Sequence, residues 1–282
     1  MSTNKSSPIW LMKPIKALLL DITGVLYESG TNIAIDGSID AIQKLRNAGV
    51  PFRLITNETQ RTVAMLIQKL AGLGYDFIEN EVITPAMICR EFIRKNQLRP
   101  HFLIHPNLEP EFNEIIIRHN PNCVVIGDAD DAFTYQAMNN CFKLLMSLKE
   151  QSTNENLDHL LIGLGRNKYY RENGQLKLDL GGYLAALEYS TDLRAKIIGK
   201  PSKDYFQNAL DSFGGKFSKE DLVMIGDDIT GDVKGAQDFG VRGVLVRTGK
   251  YTPSMEQHPS IKPDAIVDNL KEAIDLIVQK NP

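Results

Sequence analysis

The chain has 282 residues, 43% hydrophobic and 24% charged, with a formal net charge of -3. That length predicts two domains, and the slight acidity argues against a nucleic-acid-binding surface, which is normally basic. No apolar run nears the roughly 18 residues that span a bilayer, and the segment Met1 to Lys16 lacks the apolar core of a secretion signal.

Short apolar runs alternate with helical patterns along the chain, the mark of a parallel α/β sheet. Ile15 to Leu20 predicts a buried strand that stops at Asp21. Ser38 to Ala48 predicts a helix with Ile39, Ile42 and Leu45 on one face and Gly49 as its stop. Phe52–Ile55 is a second strand, ending in Thr56 and Asn57, followed by a helix from Gln60 to Leu73 and a short strand at Val82–Thr84. Thr84-Pro85-Ala86 reads as a hinge, because proline fixes the chain direction there.

Beyond it lies a separate α/β stretch, with strands at His101–His105, Cys123–Ile126 and Leu160–Leu164 and a helix at Gln136–Leu148. Asn173-Gly174 is a hairpin turn signal, and a helix over Gly182–Thr191 closes the stretch. The first pattern then resumes. Ile197-Ile198 runs to Lys200, Leu222–Ile225 runs to Asp227, and Val244–Val246 and Ala265–Val267 precede a C-terminal helix. One domain is thus interrupted by another: 1–86 with 195–282 is the expected core and 87–194 the insert. Cys89, Cys123 and Cys141 form no CxxC pair and no even set, so they are expected as buried, reduced thiols. The implied compartment is reducing, the cytoplasm and by extension the nucleus.

Four polar signals follow predicted strands, where an open parallel sheet binds its ligands. A carboxylate at Asp21 can attack phosphorus and divide a hydrolysis into two easier displacements; Gly24 lets the next turn aim N–H groups at phosphate oxygens. Thr56 and Asn57 offer a hydroxyl and an amide to phosphoryl oxygens, although the same residues could only cap the next helix. Lys200 in Gly199-Lys200-Pro201-Ser202 can offset charge on nucleophile and phosphate. Asp227, Asp228 and Asp232 repel one another unless a cation intervenes. Magnesium needs one or two carboxylates beside phosphate oxygens and water, so Asp21 with Asp227 suffices, and Asp228 and Asp232 fit behind them.

In that order the four signals resemble motifs I to IV of the haloacid dehalogenase superfamily. The insert falls where a C2-type cap lies, between motifs II and III. The segments LLLDITGVLYESG, TNETQ, NPNCVVIGDADDAFTYQAMNNCF, ALEY, GKPS, MIGDDITGDVKGAQ and VRTGKYTPS extend the likeness over nearly the whole chain, to a branch that acts on P–N and pyrophosphate bonds. The resemblance implies a Rossmann-like parallel-sheet core with an inserted α/β cap, and Asp21 as nucleophile. It implies Mg2+ held by Asp21, the Thr23 carbonyl and Asp227, and substrate bound by Asp21, Ile22, Thr23, Thr56, Asn57 and Lys200. It also implies a small phosphorylated substrate or phosphorylated His or Lys, and a homodimer formed through the cap.

One departure bears on the chemistry. Most phosphatases of this superfamily carry Asp two residues after the nucleophile as general acid; here that position is Thr23. A hydroxyl does not protonate a leaving alkoxide at neutral pH, and loss of a general acid costs about 100- to 10,000-fold. The expected substrates are therefore those with stabilised or self-protonated leaving groups, namely phosphohistidine, phospholysine, imidodiphosphate and pyrophosphate, with Glu58 and Asp228 as the remaining candidate acids. The competing reading is a non-catalytic phosphate-binding or signalling module disabled by Thr23. A dehalogenase has no use for the acidic Asp227–Asp232 cluster, and no GxGxxG follows a strand as a dinucleotide site requires.

Overall fold

Runs of apolar residues become strands buried on both faces, as parallel strands must be when helices cover them. The computed structural model describes residues 9–115, 119–152, 157–172 and 175–280. In chain order the elements are β1 (Ala17–Leu20), α1 (Ser38–Asn47), β2 (Phe52–Ile55), α2 (Val63–Gly72), β3 (Val82–Ile83), α3 (Pro85–Lys95), β4 (Pro100–Leu103) and β5 (Cys123–Ile126). There follow α4 (Tyr135–Gln151), β6 (Leu161–Gly163), β7 (Tyr169–Glu172), β8 (Gln175–Leu178), α5 (Leu180–Thr191), β9 (Lys196–Ile197) and α6 (Lys203–Asp211). β10 (Leu222–Gly226), α7 (Gly235–Phe239), β11 (Arg242–Val246), β12 (Ala265–Val267) and α8 (Leu270–Lys280) complete the chain. Two compact units result: 1–55 with 73–75 and 206–282, and 56–72 with 76–205.

In the first unit β12, β11, β10, β1 and β2 lie side by side in that order, all parallel. Every residue of β1 is fully buried. α1 turns Ala41, Ile42 and Leu45 inward and α8 turns Leu270, Ala273, Ile274 and Ile277 inward, the three- and four-residue steps of an apolar helical stripe. Gly49 does end α1: its φ of 64° is the left-handed conformation in which its N–H reaches the Arg46 carbonyl.

The second unit has its own parallel sheet, ordered β4-β5-β6-β9. Its core gathers Cys123–Ile126 of β5, Cys141 and Leu145 of α4, and Leu180, Leu184 and Leu187 of α5. The three cysteines are buried and free, and burial pushes the Cys123 and Cys141 thiols up to about 12 and about 11. β7 and β8 pair antiparallel as a separate ribbon; the Asn173-Gly174 turn expected between them lies outside the described residues.

Three expectations change. Thr84-Pro85 is the start of α3, not a hinge: the Thr84 hydroxyl accepts from the Met87 N–H, and Pro85 takes the first helical position, where a missing N–H costs nothing. α6 is an element that the sequence pattern did not signal. β9, read with the outer segments, pairs with β6 and closes the second sheet. Among the described residues no helix is long and apolar enough to cross a membrane.

Candidate active site

The register of the first sheet sets Leu20 beside Ile225. Asp21 and Asp227 therefore leave adjacent strands at their carboxyl ends, the edge at which such sheets bind ligands. The Asp21 N–H still donates to the Ile225 carbonyl at 2.9 Å. Asp21, Asp227 and Asp232 are buried and each offers a carboxylate oxygen within 4.8 Å of the others. Burial first, then the charges of Asp21 and Asp232, push the Asp227 carboxyl well above the ordinary range, against the opposing pull of Lys250.

Lys250 is the local counter-charge. Its ammonium donates to Asp228 Oδ2 at 3.1 Å and its main-chain N–H to Asp227 Oδ2 at 2.7 Å. Burial works to lower its pKa, yet Asp228, Asp227, Asp21 and Asp232 together hold it above the usual lysine value.

Glycines make room for this packing. A Cβ on Gly24 or on Gly249 would lie 1.9 Å from Asp227 Oδ2, and both residues have positive φ, 89° and 62°. The two backbones thus wrap one oxygen of Asp227, and the Thr248 hydroxyl ties them together by donating to the Gly24 carbonyl at 2.5 Å. A Cβ on Gly226 would meet the Asp232 carboxylate at 2.1 Å, so that glycine lets Asp232 fold back over the end of β10. Asp232 arrives there on a π-helical turn, Ile229–Lys234, and accepts from the Asp228 N–H at 3.1 Å; widened turns of this kind often mark functional sites.

Asp228 does something else. Its Oδ1 accepts from the N–H groups of Thr230 and Gly231, at 2.9 and 2.8 Å, capping that turn. Burial alone would raise its pKa, but the Lys250 ammonium and these N–H groups hold it below the ordinary range, so it is a carboxylate at neutral pH and no reserve proton donor. Glu58 is committed too, accepting from the Gln60 N–H and the Arg61 guanidinium, each at 2.7 Å. The Thr23 hydroxyl donates to the Tyr27 phenol at 2.9 Å, and the Ile22 carbonyl accepts from Val25 and Leu26, closing the turn after the nucleophile position.

The remaining candidates are gathered in the second unit. Thr56 is fixed by Tyr205, whose phenol oxygen accepts from the Thr56 N–H at 3.2 Å and lies 2.6 Å from the Thr56 carbonyl and 2.7 Å from that of Ile83. Thr56 Oγ1 accepts from the Glu58 N–H at 3.1 Å. Asn57 Oδ1 accepts from the Lys200 N–H at 2.8 Å and its Nδ2 donates to the Lys200 carbonyl at 3.0 Å. Lys200 is 4% exposed. Asp21, Ile22, Thr23 and Asp227 are thus assembled in one unit, and Thr56, Asn57 and Lys200 in the other.

One residue escaped the sequence reading, and one acid stands closer to the centre than expected. Asp232 was set behind the other acids and is a full member of the cluster; the signal was its place one turn after Asp228, but the Gly226 gap is visible only in three dimensions. Lys250 carried no signal beyond standing shortly after a predicted strand. As a cation site the cluster is well suited. Its donors are oxygen only, as hard divalent ions prefer, its charges are crowded and buried, and the cradle around Asp227 holds one of its oxygens in place.

Comparison with known proteins identifies the family. A family model described as haloacid dehalogenase-like hydrolase matches residues 18–134, and a HAD-hydrolase-like model matches 197–273. The chain is 45% identical over 267 residues to the human phospholysine phosphohistidine inorganic pyrophosphate phosphatase, covering 94% of this chain and 95% of that protein. It is 36% identical to the human haloacid dehalogenase-like hydrolase domain-containing protein 2, covering 95% and 97%. Among solved structures it is similar to a 4-nitrophenylphosphatase from Thermotoga maritima, with a TM-score of 0.80 at 26% identity, covering 93% and 97%. With the parallel α/β sheet and the acidic cluster at its carboxyl edge, these likenesses establish that the chain belongs to the haloacid dehalogenase-like hydrolase family.

Proposed function

We propose that this chain is a magnesium-dependent phosphatase acting on P–N and pyrophosphate bonds through an aspartyl phosphate on Asp21. Its substrates are phosphohistidine, phospholysine, imidodiphosphate and inorganic pyrophosphate. The observation that carries the reading is the buried cluster of Asp21, Asp227 and Asp232. Asp21, Asp227 and the Thr23 carbonyl would hold Mg2+, with Asp232 beside them, and the ion would offset negative charge on nucleophile and phosphate. The Asp21 carboxylate attacks phosphorus, the P–N or P–O bond breaks, and the leaving group departs with its electron pair. Water then attacks the aspartyl phosphate at phosphorus, releasing phosphate and restoring the carboxylate. Ile22, Thr23, Thr56 and Lys200 bind the phosphoryl group, and Asn57 stands bonded to the Lys200 main chain. Residues 87–194 act as the cap that excludes water and selects substrate.

Substrate choice follows from the missing general acid. With Thr23 tied to Tyr27 and Asp228 held ionised, neither supplies a proton to a strongly basic alkoxide. Phosphoramidates bring their own proton, and phosphate is a stabilised leaving group. Initial rates for imidodiphosphate, phosphohistidine and a sugar phosphate, with and without magnesium and with Asp21→Asn as control, test the reading. Turnover of the first two only, lost in the control, is expected; equal efficiency on the sugar phosphate sinks the substrate assignment, and phosphate binding without turnover leaves a non-catalytic module. A homodimer through the cap is supported by the β7–β8 ribbon, which exposes Tyr169, Leu176 and Leu178 at 56, 60 and 59%; light scattering reads the mass directly.

A further inference from the structure

We propose that Asn57 is a positioning residue that acts on the phosphate site through Lys200, by clamping the main chain of the lysine. This deepens the reading of Lys200 as a phosphate-binding group and rests on it. An asparagine that only binds phosphate uses its amide hydrogens and has no use for its amide oxygen. Here both ends of the amide meet one distant residue: Oδ1 accepts the Lys200 N–H at 2.8 Å and Nδ2 donates to the Lys200 carbonyl at 3.0 Å, across 143 residues of sequence. The pair forms a closed ring of two hydrogen bonds, so it fixes the lysine backbone in both distance and orientation, as a single contact would not.

The surroundings are built around this clamp. Gly199, just before the lysine, has no side chain where one would lie 3.0 Å from Asn57 Oδ1 and 2.7 Å from the Leu164 carbonyl. The Ile198 N–H donates to the Gly163 carbonyl and the Ser202 N–H to the Gly199 carbonyl, each at 2.8 Å, holding the chain on either side. On the other strand of the clamp, Tyr205 fixes Thr56 and Thr56 Oγ1 receives the Glu58 N–H, so the Asn57 backbone between them has little freedom. Lys200 itself is 4% exposed, and a long side chain held in so tight a place transmits a shift of its own backbone to its ammonium. Residue type follows from the geometry. Aspartate lacks the donor for the Lys200 carbonyl, and glutamine puts its amide one carbon too far out.

The test is a double-mutant cycle on the full chain, with inorganic phosphate as probe in the presence of magnesium, read by titration calorimetry. Lys200→Ala and Asn57→Ala are each expected to weaken phosphate binding roughly tenfold, the scale on which losing one or two hydrogen bonds acts. Asn57→Ala made in the Lys200→Ala background is expected to cost nothing further, because a group that works only through the lysine has nothing left to position. If the two losses multiply, Asn57 meets phosphate independently and the clamp is overturned. If Lys200→Ala leaves phosphate affinity unchanged, the assignment of Lys200 itself fails, and the clamp's function falls with it. Gly199→Ala, which presses one methyl group on Asn57 Oδ1 and removes no polar atom, should reproduce the loss and its disappearance without Lys200. That variant carries the test should Asn57→Ala fail to fold.

Discussion

Gly249→Ala is the sharpest probe of the Asp227 cradle. Its new Cβ would stand 1.9 Å from Asp227 Oδ2 and 2.5 Å from Gly24 Cα, where ordinary contact begins at 3.4 Å. The carboxylate must therefore retreat by over ~1 Å, and misplacement on that scale costs about 100-fold in rate. The fold loses about 1–2 kcal/mol for a non-glycine residue at a φ of 62° and about 0.5–1.5 kcal/mol for an off-rotamer aspartate, and it loses more because the Gly24 backbone, 2.5 Å from the new Cβ, must also shift. The variant should thus unfold at a lower temperature, bind magnesium more weakly in titration calorimetry, and hydrolyse pyrophosphate about 100-fold more slowly. Gly24→Ala, whose Cβ meets the same oxygen at 1.9 Å, should share the pattern. Unchanged magnesium affinity in a variant with that stability loss would refute the cradle as a device that aims Asp227 at a cation.

Other perturbations have equally definite outcomes. Glu188 accepts both guanidinium nitrogens of Arg166 and the Ala195 N–H; burial alone would raise its pKa, but these partners hold it below the usual value. Its contribution is therefore complete above the ordinary carboxylate range and fades as pH falls through the depressed pKa. Glu188→Gln should unfold at a lower temperature than the parent at neutral pH, and the gap should narrow in acid. The Arg242 guanidinium gathers the carbonyls of Trp10, Lys13, Pro14 and Glu220 at 2.7–3.0 Å. Arg242→Ala should cost about 1–3 kcal/mol in denaturant unfolding, and Arg242→Lys should not restore it, since lysine lacks the planar fork. Thr23→Asp supplies the absent general acid and should raise turnover of a sugar phosphate by up to about 100-fold relative to imidodiphosphate in parallel rate assays.

Much of the fold was legible because buried parallel strands are short apolar runs, and those of the first sheet end at polar residues, as Leu20 does at Asp21 and Ile225–Gly226 at Asp227. The same rule located the nucleophile candidate and the acidic cluster. It failed where one residue has two uses. Pro85 breaks a strand pattern and equally well opens a helix; only the Ala86, Cys89, Ile93 spacing behind it distinguishes the two, and the structure buries those three residues together. β9 is two residues long, too short for its sequence to say which sheet it joins. The full part of Asp232 in the cluster and the counter-charge of Lys250 were out of reach for a deeper reason. Asp232 uses the space left by Gly226 and Lys250 meets Asp227 and Asp228 through a loop contact, and such proximity has meaning only once the neighbours are in position. Asn57 read as a ligand group because its chemistry permits that, while its two bonds to Lys200 depend on a contact spanning half the chain.

Covalent chemistry at Asp21 is read directly by reductive trapping. Borohydride converts an acyl phosphate on aspartate into homoserine, so enzyme quenched with borohydride during turnover of imidodiphosphate and magnesium should carry homoserine at position 21 when its peptides are sequenced by mass spectrometry. The modification should vanish when substrate is omitted and when Asp227→Asn is used. Full turnover with an unmodified Asp21, or homoserine at another aspartate, would contradict the account.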